Sequence, residues 1–313
     1  MTRVAAVDCG TNSIRLLVAD VPEQGAHTDL VRRMEVVRLG QGVDATGRLA
    51  PDAVERTRVA LADYAGITRR TDAQRVRMVA TSATRDAANR EDFFSMVRQT
   101  LGTDPEVITG DEEARLSFTG AVGDLDPADG PFVVVDVGGG STEVVLGDWD
   151  GTSAKVTAAR SVNVGCVRIT ERYLHSDPPT PGEISAARQF AAQTLHEAFA
   201  GVPVDKARSW VGVAGTVTTL SAVAQRLSGY DPERTHLSRL SLEQVRGTAE
   251  NLLASTHQQR AANPVIHPGR VDVIAGGALI VAVLAEELHA RAGIAELVVS
   301  EHDILDGIAL GLG

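Results

Sequence analysis

The run Phe132-Val-Val-Val-Asp-Val-Gly-Gly-Gly-Ser-Thr-Glu-Val-Val-Leu-Gly147 leaves this stretch of chain few choices. β-Branched residues fill both flanks, and consecutive glycines break them. A nucleotide-binding glycine loop hands over to helical periodicity, but Thr142-Glu-Val-Val-Leu146 reads as a returning strand. The stretch is therefore expected to be a β-hairpin. Its tip, Gly138, Gly139, Gly140 and Ser141, can offer successive backbone N–H groups as an anion-binding nest. In that register Asp136 falls opposite Glu143 on one face, with Cβ atoms roughly 5 Å apart. Like charges so placed repel, which calls for a cation as third party. The plainer alternative is a glycine-rich hairpin with two solvated acids.

A weaker copy stands near the N-terminus, in Val4-Ala-Ala-Val-Asp-Cys-Gly-Thr-Asn-Ser-Ile-Arg-Leu-Leu-Val-Ala-Asp20. It aligns without gaps, Asp8 on Asp136, Gly10 on Gly138, Ser13 on Ser141 and Asp20 on Asp148. Two copies suggest two related halves rather than a solenoid. Arg15 takes the place of Glu143, opposite Asp8, so one tip is acidic and metal-like and the other mixed. Two such tips facing each other across a cleft would clamp one polyphosphate-like group.

At 313 residues the chain can hold two domains with real cores. The net charge of −11 argues against wholesale binding of nucleic acid or membrane, and any anionic substrate would depend on local arginines and a metal. Cys9 and Cys166 set no disulfide framework, and Cys9 reads as a small buried hydrophobe. No signal-peptide pattern opens the chain, and the apolar run from Val273 to Ala285 is too short to span a bilayer. A cytoplasmic protein is expected.

Taken in order, Val31 to Gly42 reads as a further strand carrying Arg32, Arg33 and Arg38, and Pro51 opens a helix. Val76 to Ala80 is a buried-strand candidate, and Arg85 stands just past its end, where α/β sheets place ligands and where an arginine suits phosphate. Thr109-Gly-Asp-Glu112 has capping-box spacing, which would occupy Glu112 at a helix start. Glu113 has no such duty, which makes it the better general base. Asp124 to Pro131 is turn-rich and marks the domain boundary. Ser161 to Arg172 supplies another strand, and Thr180-Pro-Gly-Glu183 opens a helix with a capping box. Trp210 to Leu220 reads as strand, turn at Gly215, then helix, whose N-terminus could take a phosphate or nucleotide. The run from Val271 is a buried helix packed at Gly276 and Gly277, Glu296 to Ser300 is a last strand, and Ile304 to Leu312 is a terminal helix. His267 and His302 look isolated, with core or surface roles.

These motifs, in this order, resemble the exopolyphosphatase / guanosine pentaphosphate phosphohydrolase family of the actin-like ATPase and sugar-kinase superfamily. The resemblance is carried by Val7 to Arg15, Thr81 to Arg85, Thr109 to Ala114, Val135 to Glu143, Gly165-Cys-Val-Arg168, Ala214-Gly-Thr216 and Val299-Ser-Glu301. It implies an α/β fold of two ribonuclease-H-like domains, 1–124 and 125–313, with an interdomain cleft and with the terminal helix, about 302–312, able to pack back on the first. It implies Glu113 as the base that activates water. It associates Asp8, Asp136 and Glu143 with a divalent metal, Mg²⁺ or Mn²⁺. It associates Gly10, Thr11, Asn12, Ser13, Arg15, Arg85, Gly138 to Ser141, Gly215 and Thr216 with substrate phosphates. A homodimer is a further family expectation. The chain stops after the two-domain core, unlike longer members.

The expected activity is metal-assisted hydrolysis of a terminal phosphate, with inorganic polyphosphate or guanosine pentaphosphate (pppGpp) as substrate and no nucleic-acid or membrane partner. A small-molecule kinase and a non-catalytic guanosine tetraphosphate sensor are the alternatives. The candidate base and carboxylate pair favour a hydrolase over both.

Overall fold

A computed structural model describes residues 1–313 except Gln24 and Ala26. The chain divides into two compact units, Met1–Gly123 with Ile304–Gly313, and Asp124–Asp303.

In the first unit, β1 (Thr2–Cys9), β2 (Ser13–Val21), β3 (Thr28–Val36), β4 (Arg75–Ala80) and β5 (Glu106–Val107) form one sheet in the order β3-β2-β1-β4-β5. β1, β2 and β3 run antiparallel, whereas β1, β4 and β5 are parallel. Successive residues of β1 face opposite sides, as strand geometry requires. Ala5 and Val7 join a core with Leu61 and Tyr64 of the helix Pro51–Arg70, while Val4 and Ala6 pack with Ile304, Leu305 and Ile308. Burial on both faces explains why β1 reads as a continuous apolar run. The helix Ile304–Leu310 lies against Gly110–Ala121, where a Cβ on Gly307 would meet the Leu116 carbonyl oxygen at 2.1 Å.

The second unit repeats that plan. β6 (Phe132–Val137), β7 (Thr142–Trp149), β8 (Ala154–Val162), β9 (Ser209–Val213), β10 (Arg239–Ser241) and β11 (Glu296–Val299) are ordered β10-β11-β9-β6-β7-β8. Read from β8 to β11, strand order and directions match the first sheet, and β10 adds an antiparallel edge. The duplication seen in two hairpins thus extends to two mixed sheets. The helix Ile274–Ala292 is buried along most of its length, and its two glycines permit that approach. A Cβ on Gly276 would lie 2.7 Å from Thr170 Oγ1, and one on Gly277 2.4 Å from Thr216 Cγ2.

Two expectations change. The run from Val31 to Gly42 is not one strand, because β3 ends at Val36 and Arg38 takes a left-handed φ of 51° in the loop beyond. Ser161 to Arg172 is likewise not a strand, since β8 ends at Val162 and a helix spans Cys166–Tyr173. Both segments turn back on a hairpin tip. Among the described residues, no helix is long and apolar enough to cross a membrane.

Candidate active site

Every sequence-predicted site residue lies on the hairpin that follows β1 or β6, or just past the carboxyl ends of β4, β5 and β9, where open α/β sheets bind ligands.

In the first unit the hairpin register places Asp8 opposite Arg15, as the spacing requires. Arg15 donates from Nε and Nη2 to Asp8 Oδ2 at 3.0 and 2.7 Å, so its guanidinium is committed to this carboxylate. At the tip, the carbonyl of Thr11 accepts from Gly40 N–H at 2.8 Å, and that of Asn12 from Val37 and Arg38 at 3.1 and 2.8 Å. In a trans peptide the N–H points opposite to its carbonyl. The N–H groups of Asn12 and Ser13 are therefore turned away from this loop. Gly40 permits the contact, since a Cβ there would lie 2.3 Å from Thr11 Cγ2.

Past β4, Arg85 donates from Nη1 to Glu113 Oε2 at 2.7 Å and to the Ile108 carbonyl at 3.0 Å. Glu113 is buried. Burial pushes its carboxyl above the ordinary range, against the opposing pull of the Arg85 charge and of hydrogen bonds from Arg85 and Thr81. Its neighbour is differently placed. Thr109 Oγ1 accepts the Glu112 N–H at 3.2 Å, but the Glu112 carboxylate takes Arg77 at 2.8 Å. Glu112 is thus engaged as expected, by an arginine rather than by the reciprocal capping bond.

In the second unit Asp136 pairs with Glu143, and both are buried. Glu143 Oε1 accepts from Ser161 Oγ at 2.6 Å across the β7–β8 ladder. Burying ionised carboxylates is costly without compensating charge. Two hard oxygen donors sharing one buried face therefore fit a divalent cation that keeps several waters. The tip resembles its twin. Cys166 N–H donates to Gly138 O at 2.9 Å, and Val167 and Arg168 N–H to Gly139 O at 2.9 and 3.3 Å.

Past β9 the turn differs from expectation. The left-handed residue is Ala214, φ 69°, rather than Gly215. Such strain on a non-glycine residue tends to mark ligand-facing turns. Gly215 lies against the Arg270 guanidinium, where a Cβ would stand 2.2 Å from Nη2 and the arginine would have to shift. Thr216 follows in the helix Ala214–Ala224 and is buried. Past β11, Glu301 accepts from Tyr230 Oη at 2.6 Å and from Thr235 Oγ1. Arg270 sits in a turn 54 residues beyond Thr216, and no local motif announces it.

His302 is not isolated. Its Nδ1 lies 2.7 Å from Asp124 Oδ2, and His236 Nε2 lies 3.3 Å from the same oxygen. His236 Nδ1 accepts the Glu301 N–H at 3.2 Å, so the ring carries its proton on Nε2, facing Asp124.

The Ppx/GppA phosphatase family matches residues 17–311 of this chain. The chain belongs to the Ppx/GppA phosphatase family. Among Ppx/GppA relatives, Exopolyphosphatase 2 of Mycobacterium tuberculosis is 56% identical over 320 residues, covering 100% of this chain and 99% of the relative. A solved exopolyphosphatase-like protein is 44% identical with a TM-score of 0.95, covering 100% of this chain and 98% of that one. The Aquifex aeolicus PPX-GPPA enzyme is 32% identical with a TM-score of 0.80, over 99% of each chain. The two mixed sheets found here are thus those of Ppx/GppA proteins.

Proposed function

We propose that this protein is an exopolyphosphatase, hydrolysing the terminal phosphate of inorganic polyphosphate with water activated by Glu113. The observation that carries the reading is the buried Glu113 carboxylate held by Arg85 at 2.7 Å. A candidate base and a phosphate-seeking cation, from the helices Gly110–Ala121 and Ser82–Asp86, thus stand in contact. Full-length similarity to Exopolyphosphatase 2 supports the choice of substrate.

In this account the N–H groups of Asn12 and Ser13 in one half, and of Gly139, Gly140 and Ser141 in the other, bind phosphate oxygens and orient the chain end. Gly10 and Thr11 shape the first tip, and Gly138 the second. Arg85 contacts the terminal phosphate. Arg15 holds Asp8 in place. Asp136 and Glu143 would hold Mg²⁺ or Mn²⁺ through carboxylate oxygens, and the family resemblance associates Asp8 with the metal as well. When bound, the ion neutralises charge on the phosphates. Glu113 takes the proton of the attacking water, and in-line displacement releases orthophosphate and the shortened polyphosphate. Gly215 and Thr216, at the turn beside Arg270, bind substrate phosphate in the second unit. A cytoplasmic homodimer rests on the family resemblance alone, and sedimentation of the purified protein tests the dimer.

The deciding experiment is phosphate release by the purified protein, with and without Mg²⁺, from polyphosphate and from pppGpp. Faster release from polyphosphate, lost without the metal, is the expected result. Preference for pppGpp would make it a pppGpp phosphohydrolase with the same machinery. Binding of guanosine tetraphosphate without turnover of either substrate would make it a sensor.

A further inference from the structure

The tip Gly138–Ser141 is held from behind at each of its glycine carbonyls. The helix Cys166–Tyr173 supplies the first holds, its leading N–H groups donating to Gly138 and Gly139. The remaining carbonyl, Gly140 O, accepts from Arg168 Nε at 2.9 Å. Arg168 is buried, 9% exposed, which is uncommon for a guanidinium unless it is committed to partners. Gly165, just before the helix, makes the approach possible, since a Cβ there would lie 2.4 Å from Gly139 O.

Trans peptide geometry turns these holds into a direction. With the carbonyls of Gly138, Gly139 and Gly140 fixed towards the helix, the N–H groups of Gly139, Gly140 and Ser141 point the opposite way. None of these N–H groups has an acceptor among the described residues. The Gly140–Ser141 peptide is the special one. A hydrogen bond from a charged donor to its carbonyl polarises the amide, which strengthens Ser141 N–H as a donor to an anion. The first tip is held by backbone donors. There the carbonyls of Thr11 and Asn12 accept from the backbone N–H groups of Gly40, Val37 and Arg38.

We propose that Arg168 is a positioning residue for phosphate binding: from behind the second tip it orients and polarises the Gly140–Ser141 peptide so that Ser141 N–H grips a phosphate oxygen. This rests on reading the tip as a phosphate site. Arg168 itself touches no substrate, and its effect should therefore fall on binding more than on the chemical step.

The test uses the full-length protein with Arg168→Gln and Arg168→Lys. Loss of a charge-assisted hydrogen bond predicts that Arg168→Gln raises KM for polyphosphate about tenfold with a smaller change in kcat. Arg168→Lys, which keeps charge but not the planar Nε, should recover part of the loss. Amide NMR during titration with inorganic tripolyphosphate then separates the two ideas. Shifts at Gly139, Gly140 and Ser141 in the unsubstituted protein, weakened most at Ser141 in the variants, would bear the proposal out. Tip shifts and KM unchanged by either variant would overturn the role of Arg168 and leave the phosphate site standing. Tripolyphosphate that binds without moving any tip amide would overturn the site and the proposal together. If Arg168→Gln does not fold, Arg168→Lys decides on the same readings.

Discussion

Arg85 and Glu113 are tied together: Nη1 of the arginine lies 2.7 Å from Oε2 of the glutamate and also reaches the Ile108 carbonyl at 3.0 Å. The pair places a phosphate-seeking cation and a buried carboxylate in contact. The same contact lowers the proton affinity that burial raises in that carboxylate.

The pH consequence has a definite sign. Burial holds the Glu113 carboxyl above the ordinary range, while Arg85 pulls it down. A base must be deprotonated to act, so kcat/KM should fall as pH drops through that raised value. Arg85→Met removes the downward pull. The acid limb of its kcat/KM profile should therefore move to higher pH, besides any rise in KM. An acid limb at the same pH in both proteins would separate the limb from Glu113.

Glu113→Gln should lower kcat by roughly 10²–10⁴-fold, the usual contribution of a positioned base, and leave polyphosphate affinity nearly intact. Glu112→Gln should cost little activity, because Glu112 is engaged with Arg77 at 2.8 Å. Steady-state kinetics on both variants checks this. A crippled Glu112→Gln beside a mild Glu113→Gln would reverse the assignment.

Asp136→Asn and Glu143→Gln should each raise the Mg²⁺ concentration needed for half-maximal rate. Ser161→Ala should do so too, since its hydroxyl donates to Glu143 Oε1 at 2.6 Å. Groups that orient metal-binding carboxylates are typically worth about 10–100-fold in affinity or activity. Mg²⁺ titration of the rate provides the reading, and unchanged dependence in all variants would refute a shared site.

A stability prediction comes from the terminal helix. Asp306, on Ile304–Leu310, pairs with His27 Nε2 at 3.2 Å and with Arg32. His27 is raised to about 9, first by its hydrogen bond to Asp29 and then by that to Asp306. Because the folded value exceeds the unfolded one, the stabilisation is complete below about pH 6.5 and is lost as pH rises through about 9. His27→Gln should lower Tm at pH 6, with the gap in Tm closing above pH 9. A constant gap across that range would mean that the proton plays no part.

How much of this was legible depended on distance along the chain. The pairings Asp136–Glu143 and Asp8–Arg15 could be read directly, because strand period and tip length leave one register. The terminal helix, the Gly276–Gly277 packing and the capping box at Thr180 and Glu183 could be read the same way. The clasps behind the tips were not legible. Gly40 and Arg168 act on residues 29 and 28 positions away, through a loop and a helix that local periodicity mistook for strand. Arg77 likewise reaches Glu112 from another element, which capping spacing cannot foresee. The left-handed turn fell on Ala214, where composition favours Gly215.

The central claim is that water, activated by Glu113, attacks the terminal phosphorus. Hydrolysis of polyphosphate in ¹⁸O-enriched water, followed by mass analysis of the released orthophosphate, tests it most directly. The account predicts a solvent ¹⁸O atom in each phosphate released by the unsubstituted protein, and almost no labelled phosphate from Glu113→Gln under the same conditions. Phosphate released without solvent label, or phosphoryl groups passed to an added acceptor in place of water, would contradict it.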